Sequence, residues 1–195
     1  APTSGANPRR LHPTYAPRML GRLETQPALS RPDLLAAPVA AALPGWDAEV
    51  FVAEIDPEVA DTAAFCERYD VALDQSANCV IVAGRRGQET RFAGCVILAT
   101  TRTDVNGVVR RRLDARKASF APMDLAVSET GMEYGGITPP GLPAPWPVYV
   151  DAAVAATEWV VIGSGLRRSK LVVPGAALAS LPTAEVVDGL ASAVP

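Results

Sequence analysis

The run Gly135-Gly136-Ile137-Thr138-Pro139-Pro140-Gly141-Leu142 has the residue types best suited to chemistry. Glycines accept positive φ and let a ligand approach the main chain closely. Prolines fix φ and stiffen the same segment. A stiff loop with accessible N–H groups is what a carbonyl- or oxyanion-binding site requires. The same composition also serves a tight crossover loop that holds nothing, and residue types alone leave the two readings level.

The other reactive side chains are sparse. Arg110, Arg111, Arg112, Arg116 and Lys117 form a basic cluster offset only by Asp114. Guanidinium forks pair well with phosphate oxygens, so the cluster is a candidate phosphate-contacting patch. A solvated helix face is the plainer reading. His12 is the single histidine and falls in an irregular N-terminal segment, which argues against a nucleophile–histidine site. Cys66, Cys79 and Cys95 are odd in number, form no CxxC pair and sit in apolar surroundings. Buried reduced thiols in a cytoplasm are expected, rather than a disulfide framework or a zinc site. No metal and no cofactor are expected.

Composition narrows the class. The 195 residues are 49% apolar and 20% charged, with material for one compact domain and some additions. Net charge is −3; residues 1–47 carry +2 and residues 48–195 carry −5. A nucleic-acid partner must therefore meet a local patch. No run approaches the about 18 apolar residues of a membrane span. The opening segment APTSGANPRRLHP has no apolar stretch of the kind a secretory signal needs.

These residues need positioning elements. Residues 1–17 read as an irregular arm. Ser30-Arg31-Pro32-Asp33 is a helix-start signal, with Leu34, Leu35, Val39 and Leu43 following and an interruption near Pro38. Glu49–Ile55 alternates as a strand, and Asp61 or Thr62 can cap a helix through Tyr69. Cys79–Ala83 and Arg91–Thr100 predict two strands joined by a hairpin connection at Gly84–Gly87. Asp104 caps a helix whose Val105, Val108, Val109 and Leu113 share one face. Ala118–Phe120 is a short strand and Pro122–Glu129 a short helix. Val148–Val150, Glu158–Ile162 and Leu171–Val173 are strands, Pro174–Ser180 is a helix, and Ala184–Val187 is a last strand. Hairpins mixed with separate helices predict a mixed, largely antiparallel α/β (α+β) sheet. Cys79–Ala83, Arg91–Thr100, Val148–Val150 and Glu158–Ile162 are expected in one sheet.

GGITPPGL followed by PVYVD at Pro147–Asp151 is similar to the YbaK/EbsC family, which includes the editing domain inserted in bacterial prolyl-tRNA synthetases. TAAFCERYDV at Thr62–Val71 resembles that family's first core helix, followed by a Gln-x-Ala turn, here Gln75-Ser76-Ala77. DVNGVVRRRLDARKASFA resembles the helix and strand before the loop. GSGLRRSKLVV and AEVVD resemble the ending. The resemblance spans about residues 48–190, which divides the chain into an arm and helix at 1–47 and a YbaK-like domain at 48–195.

The resemblance implies a trans-editing deacylase that hydrolyses the ester of a mischarged aminoacyl-tRNA without metal or covalent nucleophile. Aminoacyl-tRNA is then the partner, with an aminoacyl-tRNA synthetase as a further candidate. Gly135–Pro139 presents its backbone to the aminoacyl group, and water, helped by the tRNA's terminal hydroxyl, attacks the carbonyl. The implied site comprises Asn78 and Gly136 as catalytic positions. Gly135, Ile137, Thr138, Pro139, Asp151, Gly163 and Ser164 are expected to bind substrate, and Arg110, Arg111 and Arg112 tRNA. One departure stands out. The family's Ala-Lys-Ser/Thr-Leu is here Ala77-Asn78-Cys79-Val80, and neither lysine of the chain, Lys117 or Lys170, lies at that position. Asn78 or a nearby arginine then serves in its place. The alternative is a non-catalytic pseudo-enzyme that binds an aminoacyl group, a tRNA end or a synthetase.

Overall fold

A computed structural model describes residues 20–195, so the arm at 1–17 and His12 lie outside the described residues. In chain order its strands are β1 (Thr25–Pro27), β2 (Phe51–Glu54), β3 (Ala77–Arg86), β4 (Glu89–Leu98), β5 (Thr101–Thr103), β6 (Lys117–Phe120), β7 (Val148–Asp151), β8 (Trp159–Gly163), β9 (Ser169–Pro174), β10 (Ala184–Val187) and β11 (Ala191–Ala193). The α-helices are α1 (Ala37–Ala42), α2 (Thr62–Tyr69), α3 (Arg110–Arg112), α4 (Met123–Thr130) and α5 (Ala152–Ala155).

Two main sheets form. One has the order β1-β2-β9-β8 and is antiparallel throughout. The other has the order β10-β7-β4-β3-β6, with β10, β7 and β4 parallel and the β4-β3-β6 half antiparallel. The fold is thus mixed α/β with mostly antiparallel pairing. β5 and β11 add a small ribbon. A single parallel bridge, Ser76 to Val161, links the main sheets at the start of β3.

Period-two side-chain alternation explains the layers. Val96, Leu98, Val148, Val150, Val160, Ile162, Leu171 and Val173 enter one core cluster, joined by Leu34, Leu35 and Val39. Their strand neighbours turn the other way. Cys95, Ile97 and Tyr149 pack with Val105, Val109 and Leu113 on the outer face of the five-stranded sheet. Val161 and Val172 pack with Phe65 and Cys66 of α2 on the outer face of the four-stranded one. Each such buried branched side chain stabilises the fold by roughly 1.5–3 kcal/mol relative to exposure.

Several local expectations need correction. Glu158–Ile162 belongs to the other sheet, as β8, because hairpin pairing with β9 satisfies its backbone. Ser30 caps no long helix; 3-10 turns occupy Ala28–Ser30 and Pro32–Leu34. Pro38 starts a helix rather than interrupting one, since a first-turn position needs no N–H donor. The segment after Asp104 begins as a wide π turn, Val105–Val109, before α3, although Asp104 caps it through Gly107 N at 2.8 Å. The closing helix is a 3-10 segment, Gly175–Ser180.

Residues 33–39 brace the turn between β8 and β9. Ala36 N donates to Ser164 O at 3.2 Å, and Ser169 Oγ donates to Leu34 O at 2.6 Å. Arg168 donates to Asp33 O. The strand residues that flank the turn, Gly163 of β8 and Lys170 of β9, line the candidate site.

Candidate active site

A cleft of about 520 Å³ opens between the start of β3, the β6–α4 junction, the N-terminus of α2 and the loop before β7. It brings together Asn78, Gly135, Ile137, Gly163, Asp61 and Lys170, which are far apart in sequence. Its inner wall is apolar, from Ala77, Cys79, Ile81, Ala126 and Ile137, and Phe120, Met123 and Tyr134 stand exposed at its mouth.

Backbone contact fixes the loop. Glu133 N donates to Gly165 O at 2.8 Å, and Gly165 N donates to Gly136 O at 2.7 Å. A Cβ on Gly163 would stand 2.4 Å from Gly136 O, so the two chains touch main chain to main chain. Gly135 has φ +80°, and a Cβ there would meet Arg167 Nη1 at 2.6 Å. Arg167 in turn donates to Tyr134 O at 3.1 Å and Pro57 O at 3.2 Å, tying the loop to the segment before α2. Among the described residues, no acceptor is bonded to the N–H of Gly135 or of Ile137.

Asn78 is the second residue of β3, and its Oδ1 accepts a 2.6 Å hydrogen bond from Thr62 Oγ1. That bond assigns the amide orientation, so Nδ2 carries the free donors. Lys170 arrives from β9, paired in register with Gly163. It is 8% exposed. Its Nζ donates to Ala60 O at 3.1 Å and lies 5.3 Å from the centre of the Phe65 ring. Desolvation lowers its pKa to about 8; Cys66 and Asp61 oppose that shift, and Arg167 adds to it. Burial pushes the Cys79 thiol far above its usual range and the Cys95 thiol up to about 12, so neither supplies a thiolate at neutral pH. No group of three metal-ligating side chains occurs among the described residues.

The other sequence candidates fall elsewhere. Gly136 lies behind the cleft wall, where it joins the loop to Gly165. Thr138 is fully buried, its N donating to Met132 Sδ at 3.4 Å and its hydroxyl without a partner. Pro139 is buried in the loop turn. Ser164 Oγ bonds Ser169 Oγ at 2.7 Å and shapes the β8–β9 turn. Asp151 caps α5 through Ala153 N at 3.5 Å, and burial raises its pKa; no residue of β7 lines the cleft. Arg110, Arg111 and Arg112 also lie off the cleft. Arg110 bonds Asn106 O at 2.7 Å, and Arg112 pairs with Glu185 and covers the Tyr149 ring at 5.7 Å.

Sequence reasoning placed no lysine here. The signal was a cation inside an otherwise apolar strand, Ser169-Lys170-Leu171-Val172-Val173. A side chain there has to find either an edge or a pocket.

A family model described as the aminoacyl-tRNA editing domain matches residues 56–181. A crystal structure described provisionally as a trans-editing enzyme for prolyl tRNA synthetase superposes with a TM-score of 0.65 at 20% identity, covering 78% of this chain and 94% of that one. A scaffold from epitope backbone grafting by computational design superposes with a TM-score of 0.66 at 20% identity, covering 78% of this chain and 95% of that one. A search of curated proteins gives no match. The structural likenesses concern the fold.

Proposed function

Because this chain belongs to the aminoacyl-tRNA editing domain family, matched over residues 56–181, we propose that it is a trans-editing deacylase. Its substrate is the ester that joins a wrong amino acid to the terminal ribose of tRNA. The observation that carries this reading is the meeting of Asn78 with Gly135 and Ile137 across one apolar cleft.

The geometry supports a direct attack of water. The aminoacyl side chain enters the apolar wall, and Asp61, the one carboxylate lining the cleft among the described residues, suits the substrate's α-ammonium. The ester carbonyl then faces Asn78 Nδ2 and the free N–H groups of Gly135 and Ile137. Water adds to the carbonyl carbon and the π pair moves to oxygen, where these donors stabilise it. On collapse the ester C–O bond breaks. The ribose oxygen takes up the proton that water gives up, leaving a hydroxyl and a free amino acid. Donors that bind the tetrahedral oxyanion more strongly than the planar ester accelerate the reaction.

Phe120 and Tyr134 at the mouth offer stacking faces for the terminal nucleobase, since base–aromatic stacking is sequence-tolerant. Arg110 and Arg111, outside the cleft, are assigned to phosphate contact further along the tRNA. A synthetase that releases mischarged tRNA is the natural supplier. No described helix is long and apolar enough to cross a membrane. A non-catalytic reading rests on the uncharged Asn78, but the cleft holds a cation from another strand, which favours hydrolysis. The test is a panel of aminoacyl-tRNAs with free amino acid and intact tRNA as products. Release of at least one amino acid above the spontaneous rate supports the reading; binding without release leaves the pseudo-enzyme.

A further inference from the structure

Lys170 is a buried cation with too few partners. An ammonium has three donors. Ala60 O takes one, and the Phe65 ring face offers weak electrostatic support. No carboxylate lies within ion-pair distance of Nζ among the described residues. Isolated buried charges are costly unless paired. A methionine of similar length would fill the same space against Phe65 and Val172 without that cost. Lys170 lines the cleft together with Gly163 and Ile137, so its remaining donors have the cleft as their outlet.

The groups around it set its character. Asp61 and Cys66 belong to α2 and its cap, Arg167 to the β8–β9 turn, and Ala60 supplies only a carbonyl. Asp61 lies 4.0 Å from Arg167, so its charge is shared between that guanidinium and Lys170. The net environment leaves Lys170 available to an incoming anion, and an α-ammonium would be repelled from it toward Asp61.

We propose that Lys170 is a catalytic residue of this cleft, holding the negative charge that develops on the ester carbonyl oxygen from a strand other than the one that carries Asn78. This rests on the deacylase reading for its substrate. Ala60 O and the Phe65 face hold Nζ in place, so no reorganisation is needed when charge appears. With a pKa lowered to about 8, most of the population is still protonated at neutrality and the charge is lost just above it, which makes the function pH-sensitive.

The test uses Lys170→Met in the full chain, with two readouts. Single-turnover deacylation should fall by about 10²- to 10³-fold, the loss typical of one oxyanion donor. The native catalysed rate, after subtraction of spontaneous hydrolysis, should decline as pH rises through about 8, and the variant should lack that decline. The second readout needs no turnover. A 3′-adenosine aminophosphonate ester carries a fixed negative charge where the oxyanion forms, and the matching 3′-aminoacylamide adenosine is neutral there. Native protein should bind the phosphonate at least about tenfold more tightly than Lys170→Met does, while both bind the amide alike. Lys170→Met with Asn78→Lys should recover part of both signals. Equal phosphonate binding by native and variant overturns the proposal whether or not the native protein hydrolyses anything. Lysine-dependent phosphonate binding without hydrolysis of any ester sustains Lys170 as the anion site and sinks the deacylase reading instead.

Discussion

Thr62 and Asn78 form a fixed pair: the threonine hydroxyl donates to Asn78 Oδ1 at 2.6 Å. The bond occupies the amide oxygen and leaves the Nδ2 donors free, and in the proposed pose those donors meet the ester carbonyl. Asn78→Ala should therefore slow single-turnover deacylation by about 10²-fold. Thr62→Val lets the amide rotate and should cost about 3- to 10-fold, near 1 kcal/mol by the usual conversion. Rapid-quench measurement of both variants checks this. An unchanged rate in Asn78→Ala would remove the side chain from the mechanism.

Gly163→Ala tests the contact that shapes the loop. The added methyl would stand 2.4 Å from Gly136 O, and backbone cannot step aside as a side-chain tip can. Overpacking of this kind costs about 1–3 kcal/mol. Melting temperature should fall, and the loop shift should reduce deacylation by more than the loss of folded protein accounts for. Equal activity per folded molecule would show that the loop position is not critical.

Lys170 also ties stability to pH. Its folded pKa, about 8, lies below the unfolded value of 10.5. The unfolded chain binds more protons between those values, so stability rises with pH across that window. The cost of the buried ammonium is fully present below about 8 and is gone above the unfolded value. Lys170→Met lacks this rise and should be more stable than the native protein at pH 7, by at most roughly 3 kcal/mol. Urea midpoints at pH 7 and pH 10 give the difference between the two proteins, in which the buried thiols common to both largely cancel. A larger stability gap at pH 10 than at pH 7 would contradict the assignment.

tRNA binding should divide into two surfaces. Phe120 and Tyr134 are 54% and 52% exposed at the cleft mouth, so alanine there should leave melting unchanged. Each loss of a stacking face should weaken tRNA binding by about tenfold. Alanine at Arg110 and Arg111 should instead flatten the salt dependence of binding, by up to about 0.9 in slope per lost phosphate contact. Filter binding between low and moderate salt separates the two effects. An unchanged slope would leave those arginines as a solvated helix face.

The layers were legible because strand patterning here is strict. Val160, Ile162, Leu171 and Val173 alternate cleanly with Val161 and Val172, and the sheet faces follow. Sheet membership was not legible, because β8 reads as a strand wherever it pairs. The glycine loop was legible by composition, and Gly135 does carry the positive φ that glycine favours. What its neighbours do was not. Thr138 and Ser164 are polar residues of the kind that bind ligands, yet both are fully buried, and Ser164 serves the turn itself. Lys170 was hidden for the converse reason. Its role comes from the register of β9 against Gly163 and the position of α2, both long-range consequences of packing.

The most direct measurement is the first-order rate of alanyl-tRNA hydrolysis with the native protein in excess, with seryl- and cysteinyl-tRNA alongside. A cleft with Asn78, Lys170 and two free N–H groups should release at least one of these amino acids about 10⁴-fold faster than buffer alone, or roughly 5.5 kcal/mol of barrier. Rates equal to spontaneous hydrolysis for all three, with the protein folded and tRNA bound, would contradict the deacylase reading.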